Sequence, residues 1–150
     1  MTDLMTAAEL KCTREYLGLS TSWLAEHVAC DERRLQRMEL GQEETPEPVA
    51  LAVATLYSET LDVVDRLTQK YKTQLNLSDD EVTMPVYRSD MEYARAVKHP
   101  RFPVRWHRQV AARVADRLPA LQLDYSEPYR VNQPPWKRAA AHSAKAVDAL

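Results

Sequence analysis

Between Leu19 and Gly41 the apolar positions recur at helical spacing in two short blocks, separated by a polar turn. Leu24, Ala25 and Val28 give the first block a face to bury, and Leu35 and Met38 give one to the second. Cys30 falls at a turn position that takes a small or apolar side chain. Asp31 is a good N-cap, because its carboxylate accepts backbone N–H groups that a first helical turn leaves unpaired. Gly41 supplies the left-handed residue that ends a helix. The pattern predicts a helix-turn-helix, with a supporting helix over 21–29 and a second helix over 32–40.

The same reading extends in both directions. Residues 5–17 predict a helix capped by Thr6, with Ala7, Leu10 and Leu17 facing inward and Gly18 as its stop. A loop over 42–47 carries Thr45 and Pro46 as helix-start signals. A long helix from about 48 to 75 follows, with Val49, Val53, Leu56, Val63 or Val64, Leu67, Tyr71 and Leu75 repeating at three and four. That stripe is longer than a three-helix core can cover, and its excess predicts a second surface, most simply another subunit. Residues 76–81 break the pattern. Residues 81–87 then alternate as a strand, with Pro85 favouring an edge. Ser89 caps a short helix to about 98, and a Pro-bounded loop over 99–103 leads into a helix over 104–118. Trp106, Val110, Val114 and Leu118 line one side of that helix, and Arg105, Arg108, Arg113 and Arg117 the other. A final strand is expected over 121–125.

The expected organisation is mainly α: a helix-turn-helix unit with a long fourth helix over 1–76, a small α+β unit over 81–125, and a Pro-rich, mobile tail over 126–150 that includes a weak terminal helix. Composition narrows the class further. In 150 residues there are 2 Gly and 1 Phe, which suits small helical units, and 45% hydrophobic content supports a compact core. No apolar run approaches the ~18 residues of a membrane helix, and none resembles a secretion signal, so a soluble, cytoplasmic protein with no membrane partner is expected. Cys12 and Cys30 have no metal-ligand spacing with each other or with His27, His99, His107 or His142, and are expected to be small buried apolar residues. There is no glycine-rich phosphate loop and no nucleophile–base motif, so no cofactor, metal site or enzymatic activity is expected.

Net charge is -2, but it is unevenly distributed. Residues 1–84 hold 8 Lys/Arg against 16 Asp/Glu, and residues 85–150 hold 12 against 6. Bulk charge alone would direct attention to the wrong half. A groove-reading helix depends on its own face, where Arg33, Arg34 and Arg37 concentrate. The acidic remainder would suppress non-specific binding, because the electrostatic attraction to the DNA backbone is independent of sequence.

Leu19-Ser20, Leu24-Ala25-Glu26 and Leu35-Gln36-Arg37-Met38-Glu39-Leu40-Gly41 follow one another without a gap. In this the chain resembles the Cro/cI (XRE) type of helix-turn-helix regulator, differing in having Ala29 where Gly is usual and Met38 where an aromatic is common. The resemblance implies a λ-repressor-like domain in which Arg14 pairs with Glu39, a structural role preferred here over a phosphate contact. A narrower resemblance lies in the opening run from Met5 to Leu19, the direct passage into one long helix, and the later Met91-Glu92-Tyr93-Ala94 and Phe102-Pro103-Val104-Arg105-Trp106-His107-Arg108-Gln109. These are similar to the YdiL-like family, which includes anti-CRISPR-associated (Aca) repressors of phages and mobile elements. That likeness implies a C-terminal α+β dimerisation domain and a homodimer that autoregulates its operon.

The candidate chemistry follows from the helix-turn-helix. The first residues of the second helix would enter the major groove. Arg33 and Arg37, one turn apart, suit guanine O6 and N7, Gln36 suits adenine or phosphate, and Glu32 suits a cytosine amino group. Thr21, Ser22 and Arg34 suit phosphate. The expected function is a sequence-specific repressor binding an inverted repeat in double-stranded DNA as a homodimer. Two other readings stay open. One is an antitoxin-like regulator whose C-terminal region binds a protein, with Tyr129 and Trp136 as anchors. The other is additional RNA binding through Arg101, Arg105, Arg108 and Arg113, against the simpler reading of those arginines as a solvated face. No role is assigned to Trp23.

Overall fold

The computed structural model describes residues 5–129. The expected Trp136 anchor and terminal helix, and most of the expected mobile tail, lie outside the described residues. Within them the chain is mainly helical, with six helices and one two-stranded sheet. Three short helices come first: α1 (Ala7–Tyr16), α2 (Thr21–His27) and α3 (Glu32–Glu39). The long α4 (Glu47–Leu77) follows, then β1 (Thr83–Val86), α5 (Asp90–Val97), α6 (Val104–Arg117) and β2 (Gln122–Tyr125). Each end lies within about two residues of the position that the local signals predict.

Those signals are visible as bonds. Thr6 and Glu9 form a reciprocal capping box at the start of α1, Ser20 Oγ accepts Trp23 N–H at 3.0 Å, and Asp31 Oδ1 accepts Arg33 N–H at 2.8 Å. The first three helices end alike. Leu19 N–H reaches Arg14 O, Cys30 N–H reaches Ala25 O, and Gln42 N–H reaches Arg37 O, each the long bond of a Schellman turn. The left-handed residue is Gly18 in the first turn and Gly41 in the third, but Ala29, at φ 55°, in the second.

One connected cluster of buried residues runs from Leu10 to Leu121, so the N-terminal helices and the C-terminal elements share a core. This corrects the expectation that the far half of the long apolar stripe awaits another subunit. Trp106, Val110, Ala111 and Val114 of α6 are buried, and α6 packs along α4, whose buried positions continue through Thr60, Val64, Thr68 and Tyr71. A 14-residue helix is about 21 Å long, enough to cover those three turns. The stripe also contains two threonines that the periodicity passed over. Thr60 and Thr68 each donate to the carbonyl four residues back at 2.7 Å, which lets a hydroxyl sit in an apolar interface.

β1 and β2 run parallel, with Met84 opposite Leu123 and Val86 opposite Tyr125, joined by the α5–α6 crossover. Gln122 N–H donates to Val82 O and Ser126 N–H to Val86 O, so even-numbered residues of β1 serve the ladder. Pro85, lacking an N–H, therefore faces the free edge, where it costs no ladder bond and blunts further pairing. A second correction concerns cysteine. Cys12 is exposed and Cys30 half-buried, both free, because Cys12 lies on the solvent side of α1 while Leu10 and Arg14 take the core side.

Candidate nucleic-acid interface

Helices α2 and α3 pack together across the Val28–Asp31 turn, with Leu24, Ala25, Leu35 and Met38 buried. Burial of Leu35 and Met38 turns the other side of α3 outward. Glu32, Arg33, Arg34, Gln36 and Arg37 are all exposed there. Three guanidiniums thus stand on one short surface of a chain whose net charge is negative.

The orientation of α3 is locked from behind. Arg14 Nε and Nη2 donate to the two carboxylate oxygens of Glu39 at 2.5 and 3.2 Å, and Arg14 Nη1 donates to Leu19 O at 2.9 Å. The Arg14 and Glu39 side chains are only 10% and 6% exposed. A buried fork-to-fork pair of this kind ties α1, the α1–α2 turn and the end of α3 into one body.

The outward residues are not all free of one another. Thr21 Oγ1 donates to Glu32 Oε1 at 2.7 Å, linking the starts of α2 and α3. Glu43, just past the α3 stop, reaches back over the helix: Arg34 Nε donates to Glu43 Oε1 at 2.7 Å and Arg37 Nε lies 3.5 Å from Glu43 Oε2. The hydrogen bond from Arg34 holds the Glu43 carboxyl below the usual carboxylate range. Nothing in the local sequence marks Glu43 for this position. Its position six residues beyond Arg37 becomes close in space only because Gly41 folds the chain back. Arg33 and Gln36 are exposed, with no side-chain hydrogen bond among the described residues, and Ser22 is exposed beside Thr21.

Trp23, left without a role above, is half-buried and connects the site to the rest of the fold. Its ring stacks on His27 with centroids 5.1 Å apart and on Phe102 at 5.6 Å, and Phe102 stacks on Trp106 at 4.1 Å. An aromatic line thus runs from α2 through the loop before α6 to the α4–α6 interface.

The arginines considered for RNA do not share a face. Arg101 Nη1 donates to Glu59 Oε2 at 2.7 Å, and Arg108 Nη1 donates to Tyr87 O at 2.8 Å and Arg88 O at 3.2 Å. Arg113 donates to Tyr16 O and lies 3.5 Å from the centroid of the Tyr16 ring. Arg105 is exposed. Three of the four are thereby committed to holding the C-terminal elements in place.

Among the described residues no helix is long and apolar enough to cross a membrane, and no group of His, Cys, Asp and Glu is placed to hold a metal ion. No known family model matches this chain, and no curated protein matches it.

Proposed function

We propose that this protein is a sequence-specific, DNA-binding transcription repressor of the Cro/cI type, with α3 as its recognition helix and α2 as its support. The observation that carries the reading is the exposed α3 face, held rigid by the buried Arg14–Glu39 pair. Groove readout needs side chains whose positions are fixed before contact, since each mobile one costs entropy on binding. In this reading Glu32, Arg33, Gln36 and Arg37 meet base edges. Thr21, Ser22 and Arg34 meet phosphates.

The protein acts as a homodimer on an inverted repeat, because one short helix reads only a few base pairs and a two-fold complex doubles the contacts. Support for a second subunit comes from the C-terminal sheet. Its apolar side continues past Met84 to Leu123 and Tyr125, which are exposed, and Leu77 at the end of α4 is 83% exposed. In line with the family resemblance, the operator lies upstream of the protein's own gene.

Footprinting of that upstream DNA at stated salt tests the reading. Protection of two half-sites about one helical turn apart supports it. A folded protein that protects nothing there, at low salt and micromolar concentration, overturns it.

A further inference from the structure

A cleft of about 410 Å³ separates the α1–α2 turn from the leading ends of α5 and α6. Its floor is close-packed backbone: a Cβ on Gly18 would stand 2.8 Å from Arg105 O, so the turn rests directly on α6. Three arginines, Arg88, Arg105 and Arg108, line this opening together with Ser20, Ser89 and one carboxylate residue, Asp90. Like charges gathered around a cavity repel each other, and an anion between them relieves that repulsion.

Two of the three are already held in place. Arg108 uses Nη1 on the carbonyls of Tyr87 and Arg88, and Arg88 uses Nη1 on Glu127 O at 2.7 Å while its guanidinium lies 4.1 Å from the Tyr125 ring centroid. Each guanidinium carries five N–H donors, so both keep donors to spare. Two carboxylates bear on the cleft, Asp90 in its lining and Glu92 against Arg88, and both have local partners. Asp90 Oδ1 accepts Val104 N–H at 2.8 Å, capping α6, and Glu92 accepts Arg88 N–H at 3.0 Å and lies 3.6 Å from Arg88 Nη1. Arg105 is exposed, and among the described residues it has no ion pair or side-chain hydrogen bond. It is free to close on a ligand.

We propose that this cleft is a phosphate-binding site, in which Arg88 and Arg108 form a preset cradle, Arg105 closes over the anion, and Ser20 and Ser89 donate hydroxyl hydrogens. The phosphate belongs either to a soluble phosphorylated molecule or to a DNA backbone lying beside α2. Because the cleft is walled by the α1–α2 turn on one side and by α5 and α6 on the other, an occupant bridges the N-terminal helices and the C-terminal elements.

The test titrates inorganic phosphate into the full-length protein at constant ionic strength, following backbone amide shifts. Saturable shifts centred on Gly18, Ser20, Ser89 and Arg105, with affinity at least about tenfold lower in Arg105→Gln, support the site. Among the described residues the Arg105 side chain has no hydrogen bond or ion pair, so that variant should keep the parent melting temperature, which is measured alongside. Non-saturable shifts, or shifts of equal size in Arg105→Gln, overturn it. Adding a duplex from upstream of the gene then separates the two sources. Displacement of phosphate by the duplex assigns the site to backbone, and retention assigns it to a soluble ligand. A duplex that fails to bind counts against the repressor reading and leaves the phosphate result standing on its own.

Discussion

Trp106 Nε1 donates to Thr60 Oγ1 at 3.0 Å, across 46 residues of sequence and inside the core. The Thr60 hydroxyl donates in turn to Leu56 O, so the indole N–H, the hydroxyl and the carbonyl are all satisfied where α6 lies on α4. This bond is a buried polar contact within a mostly apolar interface, and it favours one register of the two helices.

Removing both partners should therefore cost less than the two single removals combined. Thr60→Val leaves the indole N–H buried and unpaired, with an expected loss of ~1–3 kcal/mol, and Trp106→Phe adds lost packing. In the double variant the unpaired-donor penalty disappears, so its loss should fall short of the two single losses combined. Urea unfolding of the four proteins checks this. Strict additivity would mean that the bond contributes nothing to the interface.

Ala29 holds the left-handed position that Gly18 and Gly41 hold in the neighbouring turns. An L-residue other than glycine is strained there by ~1–2 kcal/mol, against which glycine brings a larger unfolded-state entropy. Ala29→Gly should raise stability by up to about 1 kcal/mol, seen as a higher melting temperature. A lower melting temperature would place that turn outside the left-handed region.

Arg14→Ala should destabilise the fold by about 3–5 kcal/mol, because it leaves the Glu39 carboxylate buried without its partner. The fraction that remains folded should keep its DNA affinity. Lost affinity at unchanged stability would instead make Arg14 a phosphate contact.

In the proposed reading, Glu43, which lies against Arg34 and Arg37, would compete with DNA for both. Glu43→Gln should strengthen operator binding about two- to fivefold, more at low salt, since it frees two cations and removes a charge that repels phosphate. Arg33→Ala and Arg37→Ala should each weaken specific binding by ~1–3 kcal/mol without unfolding the protein. Fluorescence anisotropy over a salt series measures all three. Unchanged affinity in both arginine variants would remove α3 as the reading helix.

His107 packs against the rings of Tyr87 and Tyr93, at 5.1 and 4.9 Å, with its Nδ1 buried and unpaired among the described residues. Burial, with the neighbouring Arg108 acting in the same direction, lowers its pKa to about 4. The unfolded chain therefore takes up a proton near pH 6.5 that the folded chain refuses until about pH 4. Stability from the neutral ring is complete above pH 6.5 and is lost as pH falls toward 4. His107→Gln should show a shallower fall in melting temperature across that window than the parent. Parallel curves would mean that His107 is solvated.

Much of the fold was legible because its signals are local. Thr6, Ser20, Asp31 and Ser89 bond within three residues of themselves, and the glycines stop helices through their own backbone, so the sequence carries that information wherever the segment sits. The buried stripes of α3 and α4 were readable for the same reason, since a 3.6-residue period needs only one helix to express it.

The partners were not readable. An apolar stripe states that something covers it and is silent on what, which is why the far half of α4 pointed to another subunit when α6 of the same chain lies there. Trp23, Phe102 and Trp106 form one aromatic line although 79 residues separate the first from the second. Glu43 reaches Arg34 and Arg37 only after the turn at Gly41 reverses the chain. Local hydrogen bonds and periodicity are written along the chain. Contacts between distant segments depend on how whole helices pack, and so only the tertiary arrangement decides which arginines stay free on α3 and which three gather around the α5–α6 cleft.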